Sequence, residues 1–179
     1  MSFRKYAGDY RLENIPDKKG VLKTEVVYRG AYYRFTGSAE ELASAKPRLV
    51  VGGLLFCIAQ IISVTLNTRC ARCMWVILPQ SFAILAGALM AAGIWTLLRA
   101  PERMTREYAE KTHNRINGGS LMAMLLSGAA FISSVISAIV YRAELMLPAD
   151  IFYIILLFVS ALGAAYCFVN RRASAIREY

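Results

Sequence analysis

Four long apolar stretches decide what this chain can fold into. None of them contains Asp, Glu, Lys, Arg or His, and each could cross a hydrocarbon core of about 30 Å as a helix. A helix buried in a soluble core would normally keep a polar stripe at helical period. The sequence therefore predicts an α-helical integral membrane protein, a four-helix transmembrane bundle with spans at about 49–66, 74–98, 121–141 and 151–169.

Composition agrees with this segregation of polar from apolar residues. Of the 179 residues, 57% are hydrophobic, yet the formal net charge is +9. The charged residues must therefore lie between and beyond the spans. We expect a cytoplasmic N-terminal segment at 1–46, a transmembrane domain at 47–171 and a cytoplasmic tail at 172–179.

The basic residues are unevenly distributed between the two sides of the predicted bundle. Residues 1–48 hold ten Lys or Arg, the connection at 99–118 holds five and residues 170–179 hold three, whereas the other two connections hold three in all. Lys and Arg accumulate on the cytoplasmic side of short loops. We therefore expect both termini in the cytoplasm, a plasma-membrane location, and a first span that acts as the insertion signal. The positive charge then reflects this bias and attraction to anionic lipid, and not nucleic-acid binding.

The N-terminal segment is predicted to form a small β-meander. Runs at 9–15 and 21–28 flank a Pro-Asp-Lys-Lys-Gly turn, the second run alternates as a half-buried strand does, and 31–35 supplies a third strand. A sheet this small needs further packing, on the bundle, on a copy of itself or on a partner. Its aromatic side chains could serve partner docking or, alternatively, local packing and interface anchoring. They are Tyr10, Tyr28, Tyr32, Tyr33 and Phe35.

Two further features concern the helices. Ser38 and Glu41 have capping-box spacing, which predicts a short helix that runs towards the first span with a break or bend at Pro47. Small residues recur at four-residue spacing within the spans, a pattern typical of close helix–helix packing. They are Ala83, Gly87, Ala91, Ala130, Ser134, Ala138, Ser160 and Ala164.

Polar residues in the spans are few and weakly indicative of chemistry. Gln60 and Gln80 could form hydrogen bonds between helices. The absence of ionisable residues from the spans argues against ion-coupled transport. His113 is expected to be a solvated loop residue, and Asn117-Gly118-Gly119 to be a turn before the third span.

One motif could carry chemistry. Cys70 and Cys73 form a Cys-x-x-Cys pair in the first outer connection, where flanking Arg69 and Arg72 would favour the thiolate. The pair could alternatively be a structural disulfide or two inert thiols. Zinc is not expected, because two ligands fill half of a tetrahedral site.

In outline the chain resembles the bacterial inner-membrane quinone reductases of the DsbB type, which generate disulfides. The resemblance covers the four-helix layout and the pair Cys70 and Cys73, and it implies a thiol-disulfide oxidoreductase. That family has a second cysteine pair in its second outer loop, whereas residues 142–150 contain none. Cys57 and Cys167 lie within spans and do not replace it.

Three functions remain open. The favoured one is a non-enzymatic accessory, scaffolding or regulatory subunit that acts through its cytoplasmic face, with the lipid bilayer and another membrane protein or itself as partners and without a cofactor. The second is a small oligomeric transporter or channel whose pore is lined by Ser133, Ser134 and Ser137. The third is the oxidoreductase that would use Cys70 and Cys73.

Overall fold

The fold is mostly helical. The computed structural model describes residues 3–16, 22–36 and 39–178. A single-turn helix precedes four long helices that are long and apolar enough to cross a membrane. In chain order the five are α1 (Phe3–Tyr6), α2 (Ala39–Thr65), α3 (Met74–Leu98), α4 (Arg106–Val140) and α5 (Ala149–Asn170).

The four long helices form a closed ring in which each packs on two neighbours. Helix α3 packs on α4, α4 on α5, α5 on α2 and α2 on α3. The links at 66–73 and 141–148 lie at one end of the bundle, which we call the loop end. The N-terminal strands, the link at 99–105 and the C-terminal residues lie at the other end, which we call the terminal end.

The bundle buries an apolar core and also exposes many large apolar side chains on its outside. Large apolar side chains point outwards, so that Trp75 is 77% and Ile139 is 71% exposed. The inner face of α4 is instead lined by buried serines, among them Ser127 and Ser134. Their hydroxyls donate to carbonyls of the preceding helical turn. Polar groups are thus satisfied inside the bundle while apolar surface faces outwards.

Glycines permit the closest helix contacts. A Cβ on Gly163 of α5 would lie 2.8 Å from the backbone nitrogen of Phe56 in α2. A Cβ on Gly119 of α4 would lie 2.7 Å from the backbone nitrogen of Met90 in α3. The missing side chains therefore let these helix backbones touch.

Helix α4 begins much earlier than the sequence predicted. A loop was expected at 99–118 and a turn at Asn117-Gly118-Gly119, but residues 106–120 are helical, so both expectations are wrong. The hydroxyl of Thr105 caps the helix by accepting from the backbone nitrogen of Tyr108. Burial of Ala109 and Ile116 against the core offsets the poor helix propensity of the glycines.

The predicted three-stranded meander is also wrong. Strands β1 (Tyr10–Pro16) and β2 (Leu22–Tyr28) form an antiparallel hairpin, but β3 (Tyr32–Phe35) does not join it. It lies between β4 (Met104–Thr105) and β5 (Ile176–Glu178) in a second antiparallel sheet of order β4-β3-β5. Phe35, Met104 and Ile176 all pack on the core at the terminal end, and this shared burial draws the three strands together.

The predicted short helix and first span form one continuous helix. Helix α2 runs through Pro47 without a break. The predicted cap Ser38 and the turn at 17–20 lie outside the described residues.

Candidate functional site

A buried carboxylate joins the two links at the loop end. Asp150, in the first turn of α5, is 1% exposed. Its Oδ1 accepts a hydrogen bond from the backbone nitrogen of Cys70 at 2.8 Å, and its Oδ2 accepts one from that of Met146 at 2.7 Å. The first link and the second are therefore tied by one side chain. Sequence analysis missed Asp150 because it was treated as the last residue of a solvated loop.

A separate chain of polar side chains begins at Tyr153, one helical turn from Asp150, and runs into the bundle. The hydroxyl of Tyr153 donates to Oε1 of Gln80 at 2.5 Å, and Nε2 of Gln80 donates to Oγ of Ser63 at 2.9 Å. Deeper still, Nε2 of Gln60 donates to Oγ of Ser160 at 3.1 Å. This network links α2, α3 and α5, and the cross-helix hydrogen bonds expected of Gln60 and Gln80 are present.

The network ends within the bundle. Towards the terminal end the core consists of apolar side chains such as Leu49, Phe56, Met90 and Ile94. Two of the three serines proposed to line a pore, Ser134 and Ser137, are buried between helices of a single chain. The recorded hydrogen bonds of this network reach Ser160, and further towards the terminal end α4 still buries the polar side chains Ser127, Ser120 and Thr112.

The two cysteines of the Cys-x-x-Cys pair are buried, and both thiols donate to backbone carbonyls. The Sγ of Cys70 donates to the carbonyl oxygen of Ser134, and the Sγ of Cys73 donates to that of Arg69. Both thiols are free. Burial and the neighbouring carboxylate of Asp150 raise the pKa of Cys70 to about 12. Arg69 lowers this pKa as expected, but burial and Asp150 outweigh it, so the thiolate expected at Cys70 is not favoured.

The arginines beside the thiols have other partners. The guanidinium of Arg72 donates twice to Oδ1 of Asn67, at 3.0 and 2.9 Å. That of Arg69 stacks on the ring of Tyr141 and lies beside the carboxylate of Glu144. Within the part of the chain that the structure describes, no group of three His, Cys, Asp or Glu side chains could hold a metal ion.

At the terminal end, one carboxylate anchors the N-terminal residues to α4. Glu110 accepts hydrogen bonds from Lys5, from the hydroxyl of Tyr6 at 2.9 Å and from Arg106 at 2.9 Å. These donors, Lys5 first, lower the pKa of Glu110 to about 2. The side chain is 17% exposed, so water screens these contacts only partly.

The five aromatic residues proposed for docking fall into two groups. Tyr10, Tyr28 and Tyr32 form a row of edge-to-face rings with centroids 5.2 and 5.3 Å apart. The hydroxyl of Tyr28 accepts from the backbone nitrogen of Arg106 and so fixes the row to α4. Tyr33 and Phe35 instead pack on the core of the bundle, where Phe35 is inaccessible to a partner.

Next to this row lies an exposed apolar pair that sequence analysis did not single out. Leu12 and Val26 are cross-strand neighbours in the hairpin, and they are 73% and 67% exposed. Val26 also lines a cleft of about 390 Å³ with Tyr6, Tyr10 and Glu107. The alternation of both strands could have indicated the pair, since Leu12 and Val26 share a face with Tyr10 and Tyr28.

The small residues proposed for helix packing lie mainly inside the bundle. Six of the eight are buried, whereas Ala91 and Ala138 are half-buried. The six are Ala83, Gly87, Ala130, Ser134, Ser160 and Ala164. His113, expected in solvent, is half-buried, and its Nδ1 lies 3.0 Å from the carbonyl oxygen of Ser174 in the C-terminal residues.

No protein-family model, curated protein or solved structure matches this chain. Its function must therefore be argued from its own residues.

Proposed function

We propose that the chain is a multi-pass protein of the plasma membrane with both termini in the cytoplasm. It would act without catalysis, as an accessory, scaffolding or regulatory subunit whose contacts are made at the terminal end. Placement in a bilayer is supported by the large apolar side chains exposed around the bundle. Contiguous apolar surface on the outside of all four helices, with serines and glycines inside, suits lipid and not water.

The orientation is supported by where the fold collects the basic residues. The N-terminal segment, the α3–α4 link with the start of α4, and the C-terminal residues all meet at the terminal end. Those parts hold eighteen of the 21 Lys and Arg residues. By the positive-inside rule this end faces the cytoplasm.

The observation that most supports a function in protein–protein contact is the exposed Leu12–Val26 pair beside the cleft. An apolar pair on a two-stranded hairpin gains nothing from exposure to water, and the row of Tyr10, Tyr28 and Tyr32 continues its surface. Aromatic and aliphatic anchors next to a cleft are typical of protein–protein contact sites. The partner we propose is another membrane protein with an apolar cytoplasmic segment.

The decisive experiment is extraction of the tagged chain from its native membrane in a mild detergent, followed by the mass and composition of what accompanies it. We expect a defined larger complex. Leu12→Glu should weaken the association about tenfold, the effect of losing one well-buried apolar anchor. Arg11→Glu is the matched control, since it places the same side chain on the opposite face of the same strand. A lone chain, or equal loss in both variants, would contradict the proposal.

Placement in the membrane is tested separately. A reporter fused after Glu178 should be active only in the cytoplasm, and one inserted in the link at 141–148 only outside. The opposite pattern would mean that the terminal end lies outside the cytoplasm, which contradicts the proposed orientation.

The two alternatives are less well supported. Transport is less well supported because two of the three serines proposed to line a pore, Ser134 and Ser137, are buried between helices of a single chain. Thiol oxidation lacks a reactive thiolate at Cys70 and a second cysteine pair in the other link.

A further inference from the structure

An apolar groove runs along the outer surface between α3 and α4. Its volume is about 550 Å³. Phe82, Leu85 and Leu89 line it from α3, and Met122 and Leu126 line it from α4. The groove opens outwards, on the face that our proposed function places against lipid.

Two consecutive glycines create this groove. Gly119 points inwards and lets α4 approach the backbone of α3 at Met90. Gly118 points outwards, and a Cβ built on it would meet no atom within 4 Å. The space beside Gly118 is therefore open, although the two helices on either side are in close contact.

The end of the groove towards the terminal end is polar and positively charged. Asn114 and Arg115 line it, and both side chains are exposed. Among the described residues, the guanidinium of Arg115 takes part in no recorded ion pair, hydrogen bond or ring contact. The groove thus combines apolar walls with an uncompensated positive charge at one end. A ligand that matches both features has an anionic group and an apolar tail.

The length of the groove fits one leaflet. From Arg115 to Leu126 helix α4 rises about 16 Å, close to half of a hydrocarbon core of about 30 Å. In the orientation proposed above, Arg115 lies on the cytoplasmic side. Basic pockets between membrane helices on that side bind anionic headgroups.

We propose that this groove binds an anionic phospholipid of the cytoplasmic leaflet. Its phosphate accepts hydrogen bonds from the guanidinium of Arg115 and the amide of Asn114, and an acyl chain lies along Phe82, Leu85 and Met122 past Gly118. The inference rests on the proposed membrane placement and adds a specific ligand to it.

The test uses the full chain in nanodiscs and native mass spectrometry, with phosphatidylglycerol and phosphatidylcholine as probes. Wild type should retain phosphatidylglycerol in preference to phosphatidylcholine. Arg115→Gln should weaken this retention about fivefold, the effect of one basic residue at a membrane surface. Arg48→Gln is the matched control, because Arg48 is an exposed arginine at the same end on α2, outside the groove.

A second pair of variants tests the acyl chain. Gly118→Phe places its Cβ in open space, so its ring projects into the groove and not between the two helix backbones. The fold should therefore persist while retention of phosphatidylglycerol falls. Gly128→Phe is its control, since Gly128 also has open space around it but lies outside the groove. Circular dichroism confirms that both variants are folded.

The outcomes separate this inference from the proposed function. A chain that leaves the membrane fraction on carbonate extraction overturns both. An inserted chain that retains the two lipids equally, or that responds to Arg48→Gln as much as to Arg115→Gln, overturns the lipid site alone. So does a Gly118→Phe variant that is folded and retains phosphatidylglycerol as wild type does.

Discussion

Asp150 carries a charge inside the folded chain, and two backbone amides compensate it. Asp150→Asn keeps one carbonyl oxygen but replaces the other acceptor with an NH₂ donor, which faces the amide of either Cys70 or Met146. We expect a loss of about 1–3 kcal/mol, the cost of leaving a buried donor unpaired. Thermal unfolding in detergent measures this as a lowered midpoint. Glu144→Gln, at an exposed pair with Arg69, should change the midpoint little; equal shifts would mean that Asp150 is not specially buried.

The thiol of Cys70 should react slowly. Because burial and the carboxylate of Asp150 raise its pKa to about 12, almost no thiolate exists at pH 8. Alkylation of the folded chain, followed by peptide mass spectrometry, should leave Cys70 unmodified long after a denatured sample has reacted fully. Rapid labelling, or a Cys70–Cys73 disulfide in freshly isolated protein, would restore the redox hypothesis.

The roles of some individual residues could be predicted from the sequence, whereas those of others could not. Gln60 and Gln80 were recognisable because a polar amide in an apolar run needs a partner. Asp150 was not, since a carboxylate one residue before a span looks like a solvated loop residue until both links fold over it. The contacts of Arg69 with Tyr141 and of Arg72 with Asn67 involve residues that the motif itself does not include.

Among the elements, the contact between α3 and α4 offers the sharpest test, because adjacent glycines on α4 have opposite surroundings. Gly119→Ala places a Cβ within 2.7 Å of the backbone of Met90, and backbone cannot move aside as a flexible side chain can. We expect destabilisation of about 1–3 kcal/mol, as for other overpacked contacts. Gly118→Ala adds the same methyl group to open space and should cost nothing. The thermal unfolding midpoints of the two variants test this expectation. Equal midpoints would mean that α3 and α4 lie further apart at Gly119 than the structure shows.

The extent to which elements were predictable differs along the chain. Residues 74–98 were predicted as a span and form α3 with the same bounds, because charged residues flank an uninterrupted apolar run. The start of α4 was not predictable in this way. Residues 106–120 contain charges and two glycines, and they are helical because Ala109, Thr112 and Ile116 pack inside. The partner of β3 was likewise hidden, since strand pairing across more than a hundred residues leaves no local pattern.

For the molecule as a whole, Glu110 couples the N-terminal residues to the bundle in a pH-dependent manner. Its pKa is lowered from 4.5 to about 2 by Lys5, Arg106 and Tyr6. The unfolded chain therefore takes up this proton near pH 4.5 and the folded chain near pH 2. The stabilisation is complete at neutral pH and is lost as the pH falls through that interval.

Hydrogen exchange followed by mass spectrometry tests this coupling. Residues 3–16 should exchange faster at pH 7 in Glu110→Gln than in wild type, and in wild type their protection should fall below pH 4.5 after correction for intrinsic rates. Glu102→Gln, at an exposed carboxylate in the same link region, is the control. Equal protection in all three proteins would mean that Glu110 does not hold the segment.

Both sheet partners of β3 come later in the chain than β3 itself. Strand β4 follows α3, and β5 follows α5, the last of the four long helices. In the membrane placement proposed above, Tyr32–Phe35 therefore has open edges during synthesis, while the four helices enter the bilayer one after another. The second sheet closes only when β5 leaves the ribosome. In that placement, the second sheet is complete only after all four long helices have been synthesised, and a chain stalled midway presents an unpaired strand at the terminal end.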